Sequence, residues 1–298
     1  MEGLKLNYTQ SKLFYWQLVL QLFFITMVPF MIQYPLLQGI FCLIGLVFLG
    51  IPHGGNDVFY RKEKTPMGTV RFLLMYLGVM LLYLLLWYCF PGLSLLIFLI
   101  ISIHHFGQSN FNTHRILSFD SLLWGSWLVI FPILLHGNEV FGIFSNMLGQ
   151  RFVVLDFIAH LGQLNLLVIA LFFALVYGAV LYKLQRSSFF SYLLQWVLVS
   201  LWYWLTPLLL GFVVVFCFWH SLQSMQYQLT YIKTKYEQDW KKTLLGFAPL
   251  GLIAILGMGF LLRFDLKSNL SFAFVLLSLV TLPHVIVMDG IYRDRDSD

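Results

Sequence analysis

Histidine is the residue type best suited to chemistry here, and four of the eight histidines fall at a common depth. His53, His105, His220 and His284 lie near the ends of apolar runs over 36–53, 93–105, 208–225 and 270–287. Each sits 12 to 17 residues past the start of its run. At about 1.5 Å per helical residue, that is roughly 18–26 Å into a hydrocarbon core of roughly 30 Å. Neutral imidazole is the commonest metal ligand, and three or four at one level suit iron, zinc or copper. Taken singly, each histidine also fits a hydrogen-bonded packing role. It is the coincidence of four depths that favours a metal centre.

The surroundings of these residues add to that reading. His53 and His284 follow Pro52 and Pro283. A helical proline removes one hydrogen bond and kinks the chain, and irregular backbone at membrane depth is tolerated mainly around a cavity. Asp57, four residues after His53, is within reach as an acceptor that fixes an imidazole tautomer, although a headgroup-level carboxylate is an equal reading. His104 adjoins His105 and is the alternative ligand; neighbours on a helix point about 100° apart, so only one of the two faces a common centre. His114, His136 and His160 fall in predicted loops.

The elements that must hold these side chains are membrane helices. Of 298 residues, 60% are hydrophobic and 10% charged, too little polar surface for a large soluble protein. Apolar runs predict an all-α, polytopic transmembrane bundle of about ten spans, at 14–30, 36–53, 70–90, 93–105, 122–135, 164–182, 189–206, 208–225, 243–262 and 270–287. The fourth and fifth are short enough to be tilted or re-entrant. The run at 14–30 lacks a small-residue cleavage site and reads as a first span rather than a leader. With the N-terminus inside, 15 of the 18 Lys and Arg residues fall on the inner side, as the positive-inside rule requires, and both termini are cytoplasmic. The net charge of +5 is thereby assigned to membrane orientation, not to nucleic acid. Segment 230–242 is expected to be an inner surface helix, and 137–163 an outer polar loop. Cys42, Cys89 and Cys217 show no paired spacing. Residues 1–298 are expected to form a single integral-membrane domain, in a bacterial inner membrane.

Four segments carry a resemblance. Gly50-Ile51-Pro52-His53-Gly54-Gly55-Asn56-Asp57 resembles the "PHG..D" signature of the Brp/Blh family of membrane β-carotene 15,15′-dioxygenases. Ser102-Ile103-His104-His105-Phe106-Gly107 is similar to its "HFG/HWG" element, Phe218-Trp219-His220-Ser221-Leu222 to its "WHS" element, and Thr281-Leu282-Pro283-His284 to its "PH" element. The resemblance implies cleavage of the central double bond of β-carotene, or a related carotenoid, by O2 to give retinal. It implies Fe(2+) bound by His53, His105 and His220, a lipid-dissolved substrate, and a retinal-binding rhodopsin as partner. Family members commonly carry a further histidine one turn after the "WHS" histidine. Ser224 stands there, which leaves His284 or His104 to complete the set.

Three other readings compete. Membrane di-iron desaturases use close histidine pairs and triplets, and His104-His105 is the one close pair here. Proton-coupled transporters usually place Asp or Glu within spans, which this sequence avoids. A haem-binding membrane protein would need only two of the histidines.

Overall fold

The computed structural model describes residues 12–55, 57–61, 65–111, 118–148, 165–236 and 266–296. Among these residues there is no strand; the chain is helical nearly throughout. The order is α1 (Lys12–Gln33), α2 (Pro35–Gly45), a π segment (Leu46–Gly50), α3 (Ile51–Gly55), a 3₁₀ turn (Asp57–Tyr60), α4 (Pro66–Cys89), α5 (Pro91–Phe111), α6 (Phe119–Leu135) and α7 (Gly137–Leu148). After these come α8 (Leu166–Leu184), α9 (Phe189–Leu205), α10 (Leu208–Val214), a second π segment (Val215–Ser221), α11 (Leu222–Tyr236) and α12 (Leu266–Asp296).

Eight described helical runs are long and apolar enough to cross a membrane, so the chain is a polytopic transmembrane bundle. They correspond to eight of the expected spans. The expected span at 243–262 lies outside the described residues. The fourth is not short: α5 runs 21 residues and continues well past His105. The fifth does break, since α6 and α7 meet at a bend of 99° around His136. Gly137–Leu148 is therefore helix where a polar loop is expected, and its apolar face, Val140 and Leu148, is buried. Residues 230–236 likewise prolong α11 rather than starting a separate surface helix.

Side-chain size decides how these helices pack. Many large apolar residues face outward, among them Leu36, Leu82, Tyr88, Leu175 and Phe190, as a lipid-facing surface requires. Inside, small residues let backbones meet. A Cβ on Gly107 would stand 2.0 Å from the carbonyl oxygen of Ser121, and one on Gly125 1.8 Å from that of Ile103. Only glycine at both positions allows α5 and α6 to touch. The run Leu208–Tyr231 is the central helix, with 72% of its most apolar stretch buried. Around it, α1 lays a single stripe of Phe14, Gln17, Gln21, Phe24, Val28 and Met31 against the bundle.

Both π segments flank the histidines of their helices. π turns are rare and recur at functional sites, because the extra residue rotates the rest of the helix. They meet each other at Gly50, where a Cβ would lie 3.0 Å from Phe216 Cε1 and 3.3 Å from Cys217 Sγ. His53 comes three residues after the first segment, in α3, and His220 lies within the second.

Candidate metal centre

The four histidines of common depth converge. The His53 ring centre is 5.0 Å from that of His284 and 5.2 Å from that of His220. His105 lies 4.9 Å from His284 and 4.8 Å from His220. Each ring thus neighbours two others, and the four close a circuit drawn from four separate parts of the bundle. All are buried, none more than 6% exposed. For His53, His105 and His284, one ligand atom each can be chosen so that all three lie within 4.8 Å of one another, close enough to share one ion.

Hydrogen bonding assigns the tautomers of three rings. His53 Nδ1 contacts the Gly50 carbonyl oxygen, which can only accept, so Nδ1 carries the proton. His284 Nδ1 donates to Asp57, at 2.9 Å from Oδ1 and 3.1 Å from Oδ2. His220 Nδ1 lies 2.9 Å from Ser109 Oγ. That hydroxyl already donates to the Phe106 carbonyl oxygen at 3.2 Å, so it accepts from His220. In all three rings Nε2 is left as the bare lone pair. Nε2 of His220 and of His284, and both nitrogens of His105, are buried without a hydrogen-bond partner among the described residues. Buried polar atoms are otherwise nearly always paired. Several imidazole lone pairs left free around one point form a donor set that fits a divalent iron, zinc or copper ion.

Of its two expected settings, Asp57 occupies the one beside an imidazole, that of His284. Rather than facing headgroups beyond a helix end, it is 2% exposed and accepts from Tyr76 Oη at 3.0 Å as well as from His284. The burial works because both partners donate to it. His104 is half-buried and shares none of the four ring contacts. His136 lies at the bend, donating from Nε2 to the Tyr203 carbonyl oxygen at 3.1 Å. His114 and His160 lie outside the described residues. Ser224 is fully buried, and Gln228 Nε2 donates to its hydroxyl at 3.3 Å. Gln228 also donates to the His53 carbonyl oxygen at 3.0 Å and accepts from Tyr60 at 3.1 Å.

An apolar cavity reaches the centre at His220. Its walls run from Phe144 and Met147 on α7, past Leu99 and Phe212, to Phe106 and Phe216. The Phe106 ring stands edge-on to His220 at 4.7 Å, and Phe216 stacks on it at 5.8 Å. Beyond His220, the hydroxyl-bearing side chains on its lining are Ser102, Tyr203 and Thr281. Its lining of aliphatic and aromatic side chains suits a long hydrocarbon.

A family model described as beta-carotene 15,15′-dioxygenase matches residues 44–292, a stretch that contains all four clustered histidines and Asp57. The chain belongs to this β-carotene 15,15′-dioxygenase family. It is similar to a curated protein named beta-carotene 15,15′-dioxygenase from an uncultured marine bacterium, 66A03. The two are 29% identical over 278 residues, 86% of this chain and 95% of that one. No solved structure matches. As a family member, the chain is a carotenoid-cleaving dioxygenase, and the transporter, desaturase and haem readings give way to it.

Several residues at the centre escape a reading of the sequence. Ser109 comes one helical turn after His105, a spacing that places it on the same face and is a usable signal. Tyr76 carries none, being one tyrosine of a lipid-facing helix. Gln228 is visible only once α11 is known to continue the π segment.

Proposed function

We propose that this protein cleaves the central double bond of β-carotene, or of a closely related carotenoid, with O2 to give two molecules of retinal. The site is an Fe(2+) centre held by His53, His105, His220 and His284 in a bacterial inner membrane, in a single integral-membrane domain. The supporting observation is the circuit of four buried imidazoles, three of them with Nε2 unpartnered among the described residues, which an apolar cavity reaches at His220. Ferrous iron supplies, when bound, the redox activation of O2 that no amino-acid side chain provides.

The protein's own residues bind, orient and exclude water. The substrate dissolves in lipid and enters the cavity from the bilayer, so burial of apolar surface holds it there without a charged anchor. Phe106 and Phe216 flank His220 and set which part of a threaded polyene faces the histidines; that is catalysis by positioning. One carbon–carbon double bond breaks, and the two atoms of O2 become the two aldehyde oxygens. No proton is gained or lost overall, so no acid–base pair is required. Asp57, Ser109 and the Gly50 carbonyl accept from the outer nitrogens of three rings and keep their Nε2 atoms aimed inward. Ser224 needs no ligand role, because His284 supplies the fourth ring. The retinal formed serves a retinal-binding rhodopsin in the same membrane.

Expression in a bacterial host that accumulates β-carotene tests this reading. Retinal should appear as carotene is lost, and His53→Ala should abolish it. Untouched carotene in the presence of folded, iron-loaded protein would contradict it.

A further inference from the structure

The central π segment is held from outside its own helix. Within Val215–Ser221 the backbone ladder is shifted, and the Leu222 N–H is shared between the carbonyl oxygens of Cys217 and Trp219, which leaves Phe218 as the carbonyl most in need of a donor from elsewhere. A shifted ladder changes which carbonyls receive their usual partners, and in an apolar interior an unpaired carbonyl is costly. Gln17 of α1, 1% exposed, donates its Nε2 to the carbonyl oxygens of both Phe218 and Trp219 at 2.9 Å. Those are the two residues before His220. Phe14, one turn earlier on the same stripe, packs edge-on against Trp219 at 6.1 Å. From the other side Ser221 Oγ donates to the Phe216 carbonyl oxygen at 2.8 Å, and Gly50 allows the facing π segment to close in.

We infer that Gln17 is a positioning residue for the metal centre: its amide holds the π segment that presents His220. It lies outside residues 44–292, so α1 supports the centre from beyond the stretch that the family match covers. An ordinary α-helical turn in place of the π turn would rotate His220 away from Ser109 and out of the circuit of rings. Gln17 is thus coupled to His220 through the backbone without touching the site. This inference rests on the metal reading above.

Cobalt(II) titration of the purified full chain, monitored by its visible ligand-field spectrum, tests it. Gln17→Met keeps the side chain's length and removes both donors; Gln17→His keeps one. Gln21→Met is the packing control on the same stripe, since both polar atoms of Gln21 are buried without a hydrogen-bond partner among the described residues. Gln17→Met should weaken cobalt binding about ten- to a hundred-fold and shift the spectrum. Gln17→His should fall between it and wild type, and Gln21→Met should match wild type. An unchanged affinity and spectrum in Gln17→Met, or equal losses in Gln17→Met and Gln21→Met, would overturn the positioning role and leave the metal reading standing. Failure of both Gln17 variants to fold would also overturn it, by assigning the residue to assembly. A wild-type chain that binds no cobalt would overturn the metal reading, and the role of Gln17 with it.

Discussion

Asp57 and His284, 227 positions apart in the chain, are joined inside the bundle by a carboxylate–imidazole contact of 2.9 Å. Both are almost fully buried. A carboxylate behind a ligating imidazole fixes its tautomer and strengthens it as a donor, and Tyr76 secures the same carboxylate from α4. Asp57→Ala should lower iron affinity about ten- to a hundred-fold, read by competition with a chelator, while the protein still folds. Tyr76→Phe should act in the same direction and less strongly.

Replacing His53, His105, His220 or His284 by Ala should each abolish bound iron and carotenoid cleavage. Each removes one of the four rings and opens a void that water can enter. His136→Ala and His160→Ala should retain both; His136 is occupied at the α6–α7 bend with Tyr203. Metal analysis of the purified variants checks this, and retention of iron by all six would refute the assignment.

Ser224→Ala should leave iron content and turnover close to wild type. The substitution removes one hydrogen bond from Gln228, worth about 1 kcal/mol. Gln228→Leu should cost clearly more, since Gln228 also holds the His53 carbonyl and Tyr60. Thermal unfolding in detergent ranks the two, and a larger loss in Ser224→Ala would show that position 224 contributes more than its hydrogen bond.

Gly107→Ala and Gly125→Ala should each sharply lower the yield of folded protein. Either methyl would overlap backbone of the facing helix and force α5 and α6 apart. Because His105 rides on α5, iron loading of any folded remainder should fall as well. Chromatographic recovery and metal content provide the two readouts.

Features of this fold differ in the signal they leave in the sequence. The helices are legible because hydrophobic length alone specifies a span, and His53, His105, His220 and His284 because a costly polar group stands out in an apolar run. Depth along a helix is a one-dimensional quantity, so their shared level can be counted. Which way each ring turns cannot, since the π segments at Leu46–Gly50 and Val215–Ser221 leave no pattern in residue type. Asp57 reads as lying beyond a helix end because the apolar run stops at His53, whereas the chain continues inward through α3 and a 3₁₀ turn. Helix α7 reads as polar loop because its stripe is short and interrupted, and it is tertiary packing that makes it a cavity wall.

The most direct test of the central claim is a single-turnover reaction of the purified, iron-loaded protein with β-carotene and O2. The proposed function predicts two molecules of retinal for each molecule of β-carotene and of O2 consumed, and neither iron nor product in His105→Ala. Undiminished retinal formation by His105→Ala, or none from fully iron-loaded wild type, would contradict it.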